Sequence, residues 1–273
     1  MNTDRTEIVT NKTNSRKTWE QAMMTAPIDL SLVIPLYDEE SNVQNVTDEL
    51  VELLSSHCIN FEIVLVNNGS HDGTDREIDR MMQIHGNVIV KAVVPKNKGY
   101  GWGIINGLKV CRGRFVGFTV GDSQVGAVET VRIYDTAKNN PANIVKAFRS
   151  IRHDGIYRKI LSYVYNGLFC FLYQIDVRDV NGVPMIFQAE FLKSLDLKSK
   201  QWFINAEILV KLTRLGCKVI ELPVESKKRA TGRSKVSLST IWKLFWDLIR
   251  FRFGSEFRRW KCRWEVMDCS LIN

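Results

Sequence analysis

Short apolar runs alternate with longer segments of helical periodicity between residues 29 and 148. Each run ends at a residue that favours turns, such as proline, asparagine or glycine, and therefore predicts a buried strand. Strands that alternate with amphipathic helices predict a mostly parallel sheet covered by helices on both faces. The predicted strands are 30–34, 61–66, 87–94, 115–120 and 143–148, and the predicted helices begin near residues 38, 75, 101 and 127.

The regular alternation ends after Arg149. Residues 160–175 carry no charge, but they include a serine, an asparagine, a glutamine and three tyrosines. A spanning helix needs about 20 mostly apolar residues, so this segment is too short and too polar to span and fits an interface instead. Beyond it we predict a strand at 183–187, a helix at 203–215, a strand at 218–224, a basic loop at 227–235 and a helix at 238–253.

Aromatic side chains recur along the helix predicted at residues 238–253, and the stretch 250–263 holds six basic residues against one glutamate. A basic aromatic helix suits an anionic membrane surface, whereas the same apolar face could instead pack on the core. We expect residues 241–273 to form a basic amphipathic tail. The polar residues 1–28 are expected to be a disordered or flexible N-terminal segment.

The net charge of +8 is unevenly distributed along the 273 residues. Residues 141–273 hold 24 Lys and Arg against 12 Asp and Glu, so the first 140 residues carry a net −4. This asymmetry favours an anionic partner for the second half, either a phosphate, a membrane surface or nucleic acid, unless it is only a solvated basic face. The six cysteines are scattered without a metal-binding spacing, which argues against a zinc site and a disulfide framework and favours a reducing cytoplasm.

Polar side chains follow several of the predicted strands. In an open α/β sheet, ligands bind beyond the carboxyl ends of the strands, so Asp122 is placed to hold a metal or a ligand hydroxyl. The alternative is that Asp122 caps the next helix. After the second strand, the amides of Asn67 and Asn68 can read the edge of a base, and Glu39 can accept bonds from ribose or base donors. Each of these residues could also serve ordinary turn chemistry.

Four segments form a set of motifs in a fixed order: VIPLYDEE at residues 33–40, VNNGSHDGT at 66–74, NKGYG at 97–101 and DSQ at 122–124. Together they resemble the V-x-P-x-Y-N-E-E, D-D-x-S-x-D-G-T, N-x-G-x-G-x-A and D-x-D-x-Q motifs of family 2 glycosyltransferases of the GT-A type. The resemblance covers roughly residues 29–240. Within the family it points to the polyprenyl-phosphate (dolichyl-phosphate) mannose or glucose synthases.

The resemblance implies a GT-A fold, a Rossmann-like and mostly parallel α/β sheet flanked by helices, with amphipathic interfacial helices at the C-terminus. It also implies a nucleotide-sugar donor and a divalent cation, Mg²⁺ or Mn²⁺, held by Asp122 and Gln124. Pro35 and Tyr37 would offer a rigid edge and a ring on which the base packs. The donor-binding residues implied are Pro35, Tyr37, Glu39, Asn67, Asn68, Lys98 and Asp122.

The basic second half supplies residues for an acceptor. The segment RATGRSK at 229–235 resembles the family's R-x-x-G-x-S-K loop, and two further arginines resemble those that hold an acceptor phosphate. A lipid phosphate is already ionised near neutral pH, so it needs cations rather than a base. The residues implied to bind the acceptor phosphate are Arg149, Arg158, Arg229, Arg233, Ser234 and Lys235, and the catalytic residues implied are Asp122, Gln124, Asp179 and Glu207.

Two of these catalytic residues have ordinary alternatives. Asp179 and Glu207 resemble acidic acceptor-side positions that could orient a sugar hydroxyl or act as a base. Asp179 could instead be a turn residue, and Glu207 a solvated helix residue.

The sequence departs from the family pattern at three places. Val120 stands where the first acidic residue of the D-x-D motif is expected, so Asp122 alone remains of the pair. Asn67 and Asn68 stand where the turn usually has aspartates. Lys98 lies beside the position expected for phosphate and could replace part of the cation's charge.

These features lead to the hypothesis of an inverting transferase that moves a hexose from a GDP- or UDP-linked donor to a polyprenyl phosphate. We expect it to act peripherally on the cytoplasmic face of a membrane, with a membrane-spanning partner subunit as an option and without nucleic acid. A glycan hydroxyl acceptor and a non-catalytic nucleotide-sugar or membrane-binding module are the alternatives. A dinucleotide-dependent oxidoreductase fits less well, because its glycine motif should follow the first strand rather than the third.

Overall fold

The computed structural model of the chain describes residues 27–151, 156–226 and 238–271. The predicted N-terminal segment and the basic loop at 227–235 therefore lie outside the described residues, apart from positions 27 and 28. The strands are β1 (Leu30–Leu36), β2 (Phe61–Asn67), β3 (Ile89–Val93), β4 (Phe115–Phe118), β5 (Ile144–Ile151), β6 (Met185–Gln188) and β7 (Val219–Glu225). The helices are α1 (Glu40–Ser56), α2 (Thr74–His85), α3 (Tyr100–Leu108), α4 (Ala127–Asn139), α5 (Ile156–Tyr173), α6 (Leu192–Leu195), α7 (Ile204–Arg214), α8 (Leu238–Phe253) and α9 (Ser255–Leu271).

The strands form one seven-stranded sheet in the order β3-β2-β1-β4-β6-β5-β7. Strand β6 runs antiparallel to both of its neighbours, and the other pairs are parallel. The prediction of a mostly parallel sheet is confirmed. The antiparallel insertion of β6 was not predicted, because a single short apolar run carries no information about its direction.

The first strand is longer than predicted. We expected it to stop at Pro35, but β1 continues to Leu36. The carbonyl of Val33 accepts a bond from Thr119 on the β4 side, and Pro35 faces the same side because it lies two residues further on. Strand β4 ends at Phe118, so the missing N–H of Pro35 removes no bond from the ladder.

Two hydrophobic layers cover the two faces of the sheet. Helices α1, α2 and α4 pack on one face, and α3, α5, α7, α8 and α9 contribute to the layer on the other. In α1 the buried apolar residues recur at helical spacing, as the sequence pattern predicts. They are Val43, Val46, Leu50 and Leu54.

The C-terminal helices have an inner and an outer face. Leu248 and Phe251 of α8, and Phe257 and Trp260 of α9, are buried in the hydrophobic layer. The alternative in which the apolar face of helix α8 packs on the core is therefore correct for the inner face. None of the helices within the described ranges has the length and apolar composition needed to cross a bilayer. We call the exposed outer residues of α8 the aromatic stripe: Trp242, Trp246, Ile249 and Phe253.

Candidate active site

The polar residues predicted to bind the donor lie at one edge of the sheet. Strands β2, β1 and β4 are adjacent and parallel, so their carboxyl ends meet at the same edge. This places the residues after β2, after β1 and after β4 side by side. Strand β5 ends at the same edge, and antiparallel β6 begins there, so Arg149 and the turn that holds Asp179 border the same cleft.

The loops after β1 and β2 are tied together by hydrogen bonds. The backbone amides of residues 38–40 donate to the hydroxyl of Ser70 (3.1 Å), the hydroxyl of Thr74 (2.9 Å) and the carboxylate of Asp72 (3.1 Å), one each. Burial pushes the pKa of Asp72 up, but the bonds from the hydroxyl and amide of Thr74 and from the amide of Glu40 outweigh it and leave the pKa below its usual value. The DGT motif thus fixes the first loop.

The side chains of Glu39 and Tyr37, both in the loop after β1, differ in burial and in their contacts. Glu39 is buried, and its carboxylate accepts a bond of 2.6 Å from the amide of Asn42. Tyr37 is half-buried, and its ring meets that of His71 edge-on with centroids 6.2 Å apart. Pro35, also half-buried, lies just before them, so the rigid edge and the ring predicted for the base are both present at the site.

Asn67 and Asn68 occupy distinct environments. The side-chain amide of Asn67 donates to Asp75 (2.8 Å), and its oxygen accepts a bond from the backbone of Ser70 (3.0 Å). Asn68 donates to the backbone oxygen of Gly99 (3.0 Å), and its own side-chain oxygen is buried without a hydrogen-bond partner among the described residues. Asn67 is therefore engaged in the fold of the turn, whereas Asn68 links β2 to the glycine-rich start of α3.

Asp122 lies at the carboxyl end of β4. It is 8% exposed, and its Oδ1 accepts a bond of 3.2 Å from the backbone amide of Gln124, which is half-buried. The alternative that Asp122 caps the next helix is wrong, because α4 begins at Ala127 and is preceded by Gly126. Burial, and to a lesser extent the negative charge of Asp122, raise the pKa of Tyr100, the first residue of α3 and not a predicted site residue, far above its usual value.

Few side chains at this edge could ligate a metal ion. No cluster of three or more His, Cys, Asp or Glu suited to a metal occurs within the described ranges. A single carboxylate still fits Mg²⁺ or Mn²⁺, because such cations commonly take one or two carboxylates and complete their shell with substrate phosphates and water. Asp122 could serve as that carboxylate, with the side chain of Gln124 two positions away.

The glycines at the start of α3 make room for another part of this chain. A Cβ at Gly101 would lie 2.3 Å from the carbonyl oxygen of Ser199. The backbone amide of Trp102 donates to the carbonyl of Lys200 (2.9 Å), and Gln201 donates from its side chain to the carbonyl of Lys98 (2.8 Å). We call residues 198–201 the clamp segment. No sequence pattern predicts this contact, since the two segments are far apart in the chain.

Three lysines surround the ring of Trp102 beside the clamp segment. Their ammonium nitrogens lie 5.1 Å (Lys98), 5.2 Å (Lys200) and 5.5 Å (Lys109) from a ring centroid. Each contact is a cation–π arrangement. Lys98, predicted to lie beside the donor phosphates, is thus one member of a basic cluster at the rim of the cleft.

Glu207 is buried and holds the clamp segment. Its side chain is 0% exposed and accepts bonds from the backbone amides of Lys198 (3.0 Å) and Ser199 (2.7 Å) and from the ammonium of Lys211 (2.5 Å). The alternative of a solvated helix residue is therefore wrong. The carboxylate lies behind the clamp segment, which in turn packs on the start of α3.

Arg149 and Asp179, both predicted to serve the acceptor, form a two-point ion pair. Nε of Arg149 donates to Oδ2 of Asp179 (2.7 Å), and a terminal nitrogen donates to Oδ1 (2.9 Å). Asp179 is 4% exposed, and its backbone oxygen accepts a bond from the buried ammonium of Lys146. Burial lowers the pKa of Lys146, against the opposing charges of Asp179 and Glu221. Asp179 thus fixes the guanidinium of Arg149 in one orientation.

Of the other residues predicted to bind the acceptor phosphate, Arg158 alone lies within the described ranges. Arg158 is exposed on the first turn of α5. Residues 152–155, which connect it to β5, lie outside the described residues, so its position relative to Arg149 stays a prediction. The remaining four, Arg229, Arg233, Ser234 and Lys235, all belong to the basic loop outside the described residues.

The sheet order and the polar residues at its carboxyl edge define a glycosyltransferase with the GT-A fold. The family model described as "Glycosyl transferase family 2" matches residues 31–196, which is more than half of the chain. The chain belongs to glycosyltransferase family 2. The predictions of the family, of a GT-A fold with a mostly parallel sheet, and of an enzyme are confirmed, whereas the interfacial role of the C-terminal helices stays a prediction.

Two curated relatives are similar over most of the chain. A dolichyl-phosphate beta-glucosyltransferase from Trichomonas vaginalis is 30% identical over 254 residues, covering 87% of this chain and 77% of that protein. A dodecaprenyl-phosphate galacturonate synthase from Rhizobium johnstonii is 25% identical over 240 residues, covering 86% and 69%.

A solved structure shows the same fold. Glucosyl-3-phosphoglycerate synthase from Mycobacterium tuberculosis, in complex with Mn²⁺, UDP-glucose and phosphoglyceric acid, has a TM-score of 0.67 and 17% identity. The match covers 85% of this chain and 81% of that one. At this identity the likeness concerns the fold alone.

Proposed function

We propose that this chain transfers a hexose from a GDP- or UDP-linked donor to a polyprenyl phosphate at a membrane surface. The observation that supports this proposal most directly is the ion pair of Arg149 with Asp179. It holds the guanidinium at the same sheet edge as Asp122. A fixed guanidinium suits a phosphate, because its planar donors match phosphate oxygens. The relatives named for dolichyl and dodecaprenyl phosphate support a lipid-phosphate acceptor.

The donor half of the proposal rests on the residues after β1, β2 and β4. Pro35, Tyr37, Glu39 and Asn68 would contact the nucleoside, and Lys98 would lie toward the diphosphate. Asp122 and Gln124, with diphosphate oxygens and water, would hold Mg²⁺ or Mn²⁺, which supplies positive charge to the leaving group. Of the proteins with this fold, the solved glucosyl-3-phosphoglycerate synthase binds Mn²⁺ and UDP-glucose.

The acceptor half needs no general base. In the proposed step an acceptor phosphate oxygen bonds to the anomeric carbon while the bond from that carbon to the diphosphate breaks. The nucleoside diphosphate leaves with the electron pair, and the configuration at the carbon inverts. Arg149 and Arg158 would orient the attacking phosphate, together with Arg229, Arg233, Ser234 and Lys235 of the basic loop.

Peripheral association with the cytoplasmic face of a membrane would bring the lipid to this edge. Helix α5 begins just after β5 and carries exposed apolar residues, and the neighbouring α8 carries the aromatic stripe. Exposed aromatic and aliphatic side chains at this density commonly mark an interaction surface. The exposed apolar residues of α5 are Tyr157, Ile160, Tyr163, Val164 and Phe171.

The test is sugar transfer with a panel of labelled GDP- and UDP-sugars and a polyprenyl phosphate in neutral detergent micelles. A charged-lipid product should form with at least one donor, and Arg149→Gln should reduce its rate by about tenfold to a hundredfold, as expected for one lost charged contact. Arg132→Gln is the matched control. Arg132 is exposed on α4, which packs on the face of the sheet opposite to α5 and α8. No product with any donor would reject the lipid-phosphate proposal.

A glycan hydroxyl acceptor is the second candidate, because an acidic residue does lie at the acceptor side. In that case Asp179 or Glu207 would act as the base. Both carboxylates accept bonds from basic side chains, Arg149 and Lys211, which supports a positioning role instead. Transfer to a hydroxyl acceptor, but not to a polyprenyl phosphate, would favour this second candidate.

A further inference from the structure

A basic pocket lies apart from the candidate active site. Its volume is about 500 Å³, which is within the usual range for small-ligand sites. Among the described residues, no carboxylate lines it. The lining consists of four cationic and two aromatic side chains: Arg214, Arg252, Arg258, Lys261, Phe253 and Phe257.

Helix ends orient the arginines of this pocket. Arg252 donates from Nε to the carbonyl of Leu172 (3.0 Å), and Arg214 donates to the carbonyl of Tyr173 (3.3 Å), both at the end of α5. Arg258 donates to the carbonyl of Phe253 (3.1 Å), the last residue of α8. Capping of helix ends accounts for these bonds.

Capping does not account for the convergence of three arginines from three helices on one cavity. A guanidinium has five N–H donors, and the bonds to described residues use one donor each on Arg214 and Arg252 and two on Arg258, which also donates from Nε to the carbonyl of Gly254 (3.3 Å). Like charges repel, so such a cluster is most stable when an anion lies between them. The arrangement therefore indicates a ligand with several acceptor oxygens and a negative charge.

The pocket is distant from the cleft that holds Asp122. Arg214 ends α7, whereas Ile204 begins that helix beside Gly101 at the donor side. The helix has 11 residues, so its two ends are about 15 Å apart. An anion in the pocket cannot be the donor diphosphate in the cleft.

The rim of the pocket carries the end of the aromatic stripe. Phe253 lines the pocket and is 63% exposed, and it continues the row formed by Trp242, Trp246 and Ile249. A row of exposed apolar residues that ends at a cationic cavity matches a lipid, whose chains and headgroup would meet these two surfaces respectively.

We infer that this pocket binds the phosphodiester headgroup of an anionic lipid, as an anchoring site separate from the donor and acceptor sites. The inference rests on the proposed membrane association but not on the proposed sugar transfer. An anionic phospholipid bound here would hold α8 and the end of α5 against the surface.

Cosedimentation of the full chain with vesicles tests this inference, without donor or polyprenyl phosphate. Vesicles of phosphatidylcholine alone are compared with vesicles that also contain phosphatidylglycerol, and bound protein is measured for wild type, Arg258→Gln and Arg259→Gln. Arg259 is the matched control: it is the next residue on α9, is also exposed, and does not line this pocket. Arg214→Gln serves as a second pocket variant on a different helix.

A basic residue near an anionic surface contributes about fivefold to binding wherever it lies. We expect Arg259→Gln to weaken binding to phosphatidylglycerol vesicles by no more than this, and Arg258→Gln and Arg214→Gln by about tenfold or more. Equal losses in pocket and control variants would overturn the inference in favour of diffuse attraction. Absence of any preference for phosphatidylglycerol in the wild type would overturn it too.

Two further measurements separate the ligand source and the site. Soluble glycerol 3-phosphate at millimolar concentration should neither compete with the vesicles nor raise the melting temperature, and protection by it would assign the pocket to a free phosphate compound instead. Arg258→Gln should also leave sugar transfer in neutral detergent micelles unchanged. Loss of transfer there would mean that the pocket is part of the active site.

Discussion

The burial of Glu207 leads to a quantitative expectation for the variant Glu207→Ala. The substitution removes a carboxylate that is 0% exposed and leaves the ammonium of Lys211, which is 1% exposed, without its charge partner. It also removes the acceptor for the amides of Lys198 and Ser199. Removing one member of a buried ion pair costs about 3–5 kcal/mol, so we expect the free energy of unfolding to fall by about that amount.

The measurement is urea unfolding followed by tryptophan fluorescence, with Lys211→Met and the double variant Glu207→Gln/Lys211→Met alongside. The double variant should recover most of the loss, because it removes both charges and keeps an oxygen for the clamp segment. A loss below about 1 kcal/mol for Glu207→Ala, the size typical of an exposed pair, would refute the structural reasoning.

Activity separates a positioning role of Glu207 from a role as base. The amide oxygen of Glu207→Gln can still accept the bonds from the clamp segment, so we expect it to keep at least about a tenth of the wild-type rate, with the change mainly in KM for the donor. A base would not be replaced by an amide. A folded Glu207→Gln protein whose rate falls as far as that of Glu207→Ala would restore the prediction of a catalytic carboxylate.

Three further expectations follow from the site. Gly101→Ala should destabilise the chain by about 1–3 kcal/mol, because its Cβ would lie 2.3 Å from a carbonyl oxygen of the clamp segment. Gly167→Ala, on an open face of α5 with nothing within 4 Å, should instead stabilise it by about 0.5–1 kcal/mol, and thermal unfolding compares the two. Asp122→Ala should weaken binding of GDP or UDP in the presence of Mn²⁺ by at least about tenfold, measured by calorimetry, and binding that ignores both the metal and the substitution would contradict the proposed cation site. Asp72 has a lowered pKa, so its ionised form stabilises the fold above the ordinary value of 3.8, and this contribution is lost as the pH falls through the folded pKa. The stability difference between wild type and Asp72→Asn should therefore be largest near neutral pH and shrink below about pH 4, and a difference that grows in acid would contradict this.

Local pattern accounts for much of the fold. Helix α8 has the predicted bounds, 238–253, because its apolar residues recur at helical spacing over four turns. The strand predicted at 61–66 differs from β2 by one residue. The tail after residue 253 was predicted by charge and amphipathicity alone, and the structure adds α9, whose Phe257 and Trp260 pack inward.

Residue roles were harder to predict than elements. Asp122 stands out in sequence because it follows an apolar run, and the structure places it at the carboxyl edge of the sheet, away from the start of α4. Asn67 shows no such distinction from Asn68 in sequence, yet its amide is engaged by Asp75 within the turn. The difference depends on which way each side chain faces from the strand end.

The amino-acid sequence by itself determined the alternation of strands and helices and the family, because periodicity, turn chemistry and motif spacing act between near neighbours. The tertiary structure alone decided the direction of β6, the ion pair of Arg149 with Asp179, and the burial of Glu207. Arg149 and Asp179 are 30 positions apart, and the bond from Gln201 to Lys98 joins residues 103 positions apart. Such contacts form only when the sheet order brings distant segments together, and a local pattern does not encode that order.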